Sequence, residues 1–274
     1  MVKYYIPTSI EDALTMYFNK PDLVPYSGGT DLMVGSAGEN NEYLFINHIP
    51  ELKQVCFDNE FIRFGSACTF SEIIKNEHSP TILKDACKQV AAPAIRNAGT
   101  IGGNIANGSA KADSALIFIV TNSLLRLRTL ENERVIPLKD FYLGGGKTAL
   151  KESELIIEVL MPRQNLSNYY YEKVGARKAL SISRVSFAGI LDVQDGIIKN
   201  CATAFGAVSD IIIRPTEADN ILIGKSIDEA KSLKKTYIEA LDKAIVPRRG
   251  RVSTEFRKDV CMNLIKDFLE TNGI

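Results

Sequence analysis

The sequence predicts an α+β protein, and three observations carry that prediction. Ile10, Ala13, Leu14, Tyr17 and Phe18 recur at helical spacing near the N-terminus. Short apolar runs bounded by glycine, proline and asparagine then read as strands, as at residues 23–26, 43–46 and 61–64. Near the C-terminus, residues 169–174, 186–193 and 197–205 read as antiparallel strands, and helical segments follow them. Asp195-Gly196 joins the last two strands and is a strong hairpin signal. Strands succeeded by helices, rather than strict β–α alternation, place the chain in the α+β class. At 274 residues the chain can build a full core without disulfide or metal staples.

Thr8 with Glu11 three residues on is a capping-box pattern, so the first helix is expected to start there and to stop before Pro21. Ser27-Gly28-Gly29-Thr30-Asp31 reads as the loop leaving the strand at 23–26, and Asp58-Asn59 as a turn. Residues 1–54 therefore form a first αβ lobe. A helix is expected over 79–92, with Ile82, Leu83, Ala86 and Val90 on one side and Pro93 as its breaker. Residues 96–104 show neither helical nor strand period and read as a loop. Residues 112–120 read as a buried apolar helix, 124–130 as a half-exposed strand, 141–148 as a glycine-rich loop, and 155–160 as a strand closed by Pro162. Polar Gln164, Asn165, Ser167 and Asn168 mark a boundary, giving domains 1–166 (lobes 1–54 and 55–166) and 167–274. In the final helix Phe256, Val260, Leu264 and Phe268 fall at four-residue steps behind Thr254 as the expected cap.

Composition excludes several function classes. Lys plus Arg is 33 and Asp plus Glu is 33, so a neutral chain lacks the basic footprint of a nucleic-acid binder, and membrane-surface attachment is not expected. No run approaches the roughly 18 apolar residues of a membrane span, and the N-terminus does not read as a signal peptide. The cysteines are Cys56, Cys68, Cys87, Cys201 and Cys261, with no Cys-x-x-Cys pair, and the only histidines are His48 and His78. No metal site is expected from that set. Free thiols in an odd number suit a reducing compartment, so the expected location is cytoplasmic. Redox chemistry would need an organic cofactor, or metals on a partner chain.

The remaining signals are glycine loops. A glycine pair permits positive φ and close backbone approach, and successive N–H groups in such a loop can cradle a pyrophosphate. Ser27-Gly28-Gly29-Thr30 has that chemistry, with two hydroxyls as further donors. Thr100-Ile101-Gly102-Gly103-Asn104 reads as a second loop of the same type. Asp113 could accept from sugar hydroxyls, or cap the helix starting near Ser114. Gly144-Gly145-Gly146-Lys147 adds a cation, and Lys173 lies on a strand, where an ordinary solvated lysine is the plainer reading. No Walker A, Rossmann or nucleophile-elbow pattern is present. No catalytic acid, base or nucleophile is assigned, which is the profile of a cofactor carrier.

These motifs carry a resemblance. Tyr26-Ser27-Gly28-Gly29-Thr30-Asp31-Leu32, the run from Ile95 to Asn104, and Ala112-Asp113-Ser114-Ala115 are similar to the FAD-binding subunit of the molybdenum hydroxylases, the xanthine dehydrogenase and carbon monoxide dehydrogenase family. The similarity continues through residues 141–148, Lys173-Val174-Gly175-Ala176-Arg177, Ala204-Phe205-Gly206-Ala207-Val208 and residues 248–257. It implies a two-lobed FAD-binding module of the vanillyl-alcohol-oxidase type, followed by a C-terminal α+β domain with an antiparallel sheet and helices. By position, Pro25, Tyr26, Ser27, Gly28, Gly29, Thr30, Asp31 and Leu32, with Thr100, Ile101, Gly102, Gly103 and Asn104, would wrap the pyrophosphate and ribityl of noncovalent FAD. Asp113 would hold a polar part of it, Leu155 and Ile156 would pack near the flavin, and Lys173 would lie close to it. The resemblance also implies partner subunits: a large one with molybdopterin and a small one with two [2Fe–2S] clusters. Electrons would pass through FAD to NAD or another acceptor, with the purine-oxidising branch favoured. Tyr26-Ser27 and Gly145-Gly146 depart from the residues usual at those places. A self-contained flavin oxidase and a flavin-free scaffold subunit remain open alternatives.

Overall fold

The structure is a computed structural model and describes residues 3–35, 41–178 and 180–274. In chain order the elements begin β1 (Lys3–Tyr5), α1 (Ile10–Asn19), β2 (Val24–Tyr26), α2 (Leu32–Gly35), β3 (Glu42–Phe45), β4 (Val55–Phe57) and β5 (Phe61–Gly65). Five helices follow: α3 (Phe70–Lys75), α4 (Thr81–Lys88), α5 (Pro93–Ala98), α6 (Ile101–Ala106) and α7 (Asp113–Val120). Strands β6 (Leu124–Arg128), β7 (Glu133–Pro137), β8 (Tyr142–Gly144), β9 (Lys147–Thr148) and β10 (Leu155–Pro162) come next. The chain ends with β11 (Tyr169–Gly175), β12 (Ser183–Gln194), β13 (Ile197–Gly206), α8 (Thr216–Asp219), α9 (Ile227–Ala244) and α10 (Thr254–Thr271). Among the described residues no helix is long and apolar enough to cross a membrane.

Two compact units form. The first comprises Met1–Ser79, Val90–Gly108 and Asn122–Arg163. It holds a parallel sheet of order β1-β3-β2, an antiparallel sheet of order β4-β5-β10-β6-β7, and the β8-β9 hairpin. The apolar stripe of α1 (Ile10, Ala13, Leu14) packs in a core with Leu23, Leu44, Ile46, Leu155 and Ile157.

The second unit comprises Pro80–Gln89, Ser109–Thr121 and Gln164–Ile274. Its antiparallel sheet runs β11-β12-β13. Asp195 (φ 50°) and Gly196 (φ 75°) make the β12–β13 turn, both in the left-handed region that a two-residue primed hairpin requires. Phe187 from β12, Phe205 from β13, Tyr237 from α9 and Phe268 from α10 fill the core. All eight residues of α7, Asp113 included, are buried, so this helix has no solvent face and no amphipathic signature.

Local chemistry moves several boundaries. The cap of α1 is Ser9, whose hydroxyl accepts from Asp12 N at 3.1 Å, while Thr8 N donates to the Asp12 carboxylate at 2.9 Å. The cap thus falls one residue later without forming the expected box, because the Asp12 carboxylate accepts from Thr8 N and not from Ser9 N, and Glu11 instead pairs with Arg128 at 2.9 Å. In the same way Ser253, not Thr254, caps α10. The expected loop at 96–104 is helical: Pro93 stands in the first turn of α5, where its missing N–H costs nothing, and Thr100 caps α6. The 79–92 helix is shorter than its pattern, ending at Lys88.

Candidate functional site

In the first unit the glycine motifs are packed on one another. A Cβ on Gly28 would overlap the Ala98 carbonyl, and the Gly99 position lies against Thr30 Oγ1. Residues 28–30 and 98–99, 70 positions apart, are therefore in backbone contact, which only glycine permits. Further along α6, a Cβ on Gly102 would come within 2.6 Å of Ser66 O, which accepts from Gly102 N at 2.8 Å. At the end of that helix Gly108 (φ 65°) sits against the backbone of Gly146 in the β8–β9 turn. Gly144, Gly145 and Gly146 all have positive φ, and open space surrounds the last two.

The first two motifs differ in what they offer a ligand. Among the described residues, none accepts a hydrogen bond from the backbone N–H groups of Gly28, Gly29, Thr30 or Asp31. Ser27 Oγ is buried and has no partner either. Donors gathered in one loop without protein acceptors suit an anion, which satisfies several at once. The second motif has no such surplus. The N–H groups of Ile101, Gly102 and Asn104 donate to Cys68 O, Ser66 O and Thr100 O, and Gly103 N donates to Thr100 Oγ1 at 3.2 Å. It is a capped helical turn and not a second nest. What it presents is Gly103, exposed, where a Cβ would meet only Thr100 Oγ1.

Tyr26 ends β2, and its ring stacks on Phe45 at 4.5 Å between centroids. The hydroxyl end of that ring lies over Gly29, so Gly29 is fixed both by its φ of 66° and by Tyr26. Pro25 pairs in register with Leu44 on β3. Asp31 is exposed, and Leu32 opens α2. Leu155 and Ile156 are both buried on β10: Leu155 belongs to the apolar core of this unit, and Ile156 opposes Leu127.

Asp113 and Lys173 lie together in the second unit. Lys173 Nζ donates to Asp113 Oδ2 at 2.7 Å and to Gln89 O at 2.9 Å. Their side chains are 8% and 7% exposed, which overturns the solvated reading of Lys173. Asp113 is the first residue of α7 and makes no capping hydrogen bond, so the cap reading is also overturned. Its other oxygen, Oδ1, accepts from Ser183 Oγ at 2.8 Å. Burial pushes the Asp113 carboxyl above the usual carboxylate range, opposed by Lys173 and Ser183, which favour the charged form. Nearby Tyr171 has a buried, unpartnered hydroxyl whose ionisation is pushed up by burial and by the Asp113 charge. Ser183 had no signal in the sequence, because its contact depends on a strand irregularity.

Elsewhere in this unit, Asp219 accepts from Thr203 N at 2.9 Å, Thr203 Oγ1 at 2.7 Å and Tyr237 Oη at 2.9 Å, and pairs with Arg214. This network is wholly buried and ties β13 to α8 and α9. Burial also drives the Cys68 and Cys261 thiols up to about 12, which removes them as nucleophiles. Among the described residues no group of His, Cys, Asp and Glu could hold a metal ion.

Comparison with known proteins finds matches along nearly the whole chain. The family described as FAD binding domain in molybdopterin dehydrogenase matches residues 1–164, and the CO dehydrogenase flavoprotein C-terminal domain matches residues 169–272. The xanthine dehydrogenase FAD-binding subunit of Escherichia coli O157:H7 is 26% identical, over 96% of this chain and 93% of its own length. The nicotinate dehydrogenase FAD-subunit of Eubacterium barkeri is also 26% identical, with the same coverage. In fold, the chain is similar to a chain of the reconstituted CO dehydrogenase from Oligotropha carboxidovorans, with a TM-score of 0.90, 23% identity and coverage of 98% and 96% of the two chains. Quinoline 2-oxidoreductase from Pseudomonas putida 86 gives a TM-score of 0.88 at 22% identity, covering 99% of this chain and 96% of that one. Successive matches to both domains, with bacterial relatives matched over 93% of their own length, lead to one conclusion: the chain belongs to the family of FAD binding domains in molybdopterin dehydrogenases.

Proposed function

We propose that this chain is the FAD-carrying, electron-transferring subunit of a heteromeric molybdenum hydroxylase. In this reading FAD is held without a covalent bond, a partner subunit carries molybdopterin, and another carries [2Fe–2S] clusters. The observation that carries it is the loop at Gly28–Asp31, whose four backbone N–H groups have no acceptor among the described residues. The residues present fit a dinucleotide flavin: amide donors and the Ser27 hydroxyl suit its pyrophosphate, and the exposed Gly103 turn lets a bulky ligand approach the backbone closely.

The chain's own groups have defined tasks. Residues Pro25 to Leu32 bind and orient phosphate. Thr100 to Asn104 form a rigid wall, since their amides are already bonded to protein. Asp113 and Lys173 supply a buried ion pair whose ammonium has one N–H beyond the two it donates to Asp113 and Gln89. Leu155 and Ile156 exclude water from β10. When bound, FAD supplies two-electron exchange with a nicotinamide and one-electron exchange with an iron–sulfur cluster. NAD is the proposed acceptor, a purine the proposed substrate of the complex, and the cytoplasm its compartment. The names of the Escherichia coli relative and its counterparts support the purine reading.

Ser27→Ala tests the phosphate assignment. A hydroxyl that donates to a phosphate contributes roughly 1.5–3 kcal/mol, so FAD affinity should fall about tenfold or more. The FAD-free protein should melt at the same temperature or slightly higher, because a buried unpaired hydroxyl has been removed. Unchanged FAD affinity would remove Ser27 from the site.

A further inference from the structure

We propose that Ser183 is a positioning residue, which fixes Asp113 and through it the ammonium of Lys173. The inference deepens the reading above and rests on it, because it matters to the cofactor only if the Asp113–Lys173 pair contacts FAD.

The argument begins with register. Between β11 and β12, Lys173 opposes Ser186 and Val174 opposes Val185, yet Gly175 opposes Ser183. One residue, Arg184, is extra on β12. Side chains alternate faces along a strand, so a regular ladder would set Arg184 opposite Gly175 and turn Ser183 away from the Lys173 face. The bulge reverses that. It moves Ser183 into the row of Gly175 and Lys173, where its hydroxyl reaches Asp113 Oδ1 at 2.8 Å. Bulges sacrifice ladder hydrogen bonds and re-aim side chains beside functional groups.

Ser186 supplies the contrast. It lies directly opposite Lys173 in the ladder, is 1% exposed, and its hydroxyl has no partner. Ser183, two places further from Lys173, is the one that bonds the pair. With Ser183 on Oδ1 and Lys173 on Oδ2, both carboxylate oxygens are held and the side chain cannot rotate without breaking a bond. Gln89 O then anchors the ammonium from the end of α4. Three hydrogen bonds thus define where the remaining N–H of Lys173 points. Loss of the Ser183 bond frees Oδ1 in a site where burial already opposes the charged carboxylate.

The test uses the full chain, with FAD affinity measured by titrating the flavin-free protein and the midpoint potential of the bound flavin measured by spectroelectrochemistry. Ser183→Ala should weaken FAD about tenfold and shift the potential in the same direction as Lys173→Met. Ser183→Thr, which keeps the hydroxyl, should restore both readouts, and Ser186→Ala should change neither. A lost melting temperature alone would move neither the potential nor its rescue by threonine. If Lys173→Met alters affinity and potential while Ser183→Ala leaves both at parental values, Ser183 is not a positioning residue and the cofactor reading stands. If Lys173→Met also leaves both unchanged, the pair does not contact FAD and the proposal falls while FAD binding stands; a parental chain that takes up no FAD would overturn the cofactor reading itself.

Discussion

Gly102 and Gly103 are adjacent, but different physics holds each as glycine. A side chain on Gly102 meets the Ser66 backbone, so any substitution there forces α6 away from its neighbour. A side chain on Gly103 meets only the cap hydroxyl of Thr100, at 3.0 Å. Gly103→Val should therefore lower FAD occupancy strongly while the FAD-free protein loses little melting temperature. Gly102→Val should lower both, by about 1–3 kcal/mol of stability for an overpacked site. Flavin titration beside a thermal scan separates the two, and parental FAD affinity in Gly103→Val would mean that the turn faces no ligand. Sequence alone could not tell these positions apart, because the difference lies in a neighbour 36 residues away. Nor could it show Lys173 to be buried: a charged residue in an exposed-looking strand reads as solvated until its carboxylate partner, 60 residues distant, is placed beside it.

At the scale of elements, the antiparallel sheet of the first unit carries a ladder of alternating charge. Asp58 pairs with Arg63, Arg63 with Glu158, Glu158 with Arg126, and Arg126 with Glu133, crossing from β5 through β10 and β6 to β7. Arg63 and the two loop amides of Glu60 and Phe61 hold the Asp58 carboxyl down to about 2. A depressed carboxylate stabilises the fold above its unfolded value of about 3.9 and loses that contribution as pH falls through its folded value near 2. Asp58→Asn should flatten the fall in melting temperature across that acid window, and an unaltered slope would show that Asp58 gains nothing from folding. Glu158→Gln, which leaves two guanidinium groups facing each other, should cost about 1 kcal/mol at neutral pH and less at high salt.

The elements most legible in the sequence were those with an amphipathic period or a turn signal: α1, the β12–β13 hairpin and β10. Those lost were short or uniformly buried. Helix α6 has two glycines within six residues, which erases its propensity, and its stability comes from the Thr100 cap and the bonds to Ser66 and Cys68. Helix α7 gave its apolar run but not its company, since a helix buried on all sides has no face to indicate a partner. It packs with β12 and β13 in the second unit, together with α4, and no feature of residues 80–89 or 109–121 announces that. The bulge at Arg184 is invisible without the partner strand.

At the scale of the whole molecule, the chain offers hydrogen-bond donors and, among the described residues, no group of side chains that could hold a metal ion. Its proposed chemistry therefore resides in the bound flavin and in partner subunits. The isolated chain should oxidise NADH with an artificial dye yet fail to oxidise a purine, and addition of the two partner subunits should restore purine-to-NAD transfer. Purine oxidation by the isolated chain would instead indicate a self-contained oxidase. The central claim, that this chain alone holds FAD noncovalently, has a direct measurement. The chain is purified alone, its visible spectrum is recorded with added FAD after removal of excess, and the protein is then denatured with acid and spun down. The account predicts a flavin spectrum at close to one FAD per chain, with all of the yellow colour released into the supernatant as FAD. A colourless protein that takes up no FAD, or a flavin that stays with the denatured pellet, would contradict it.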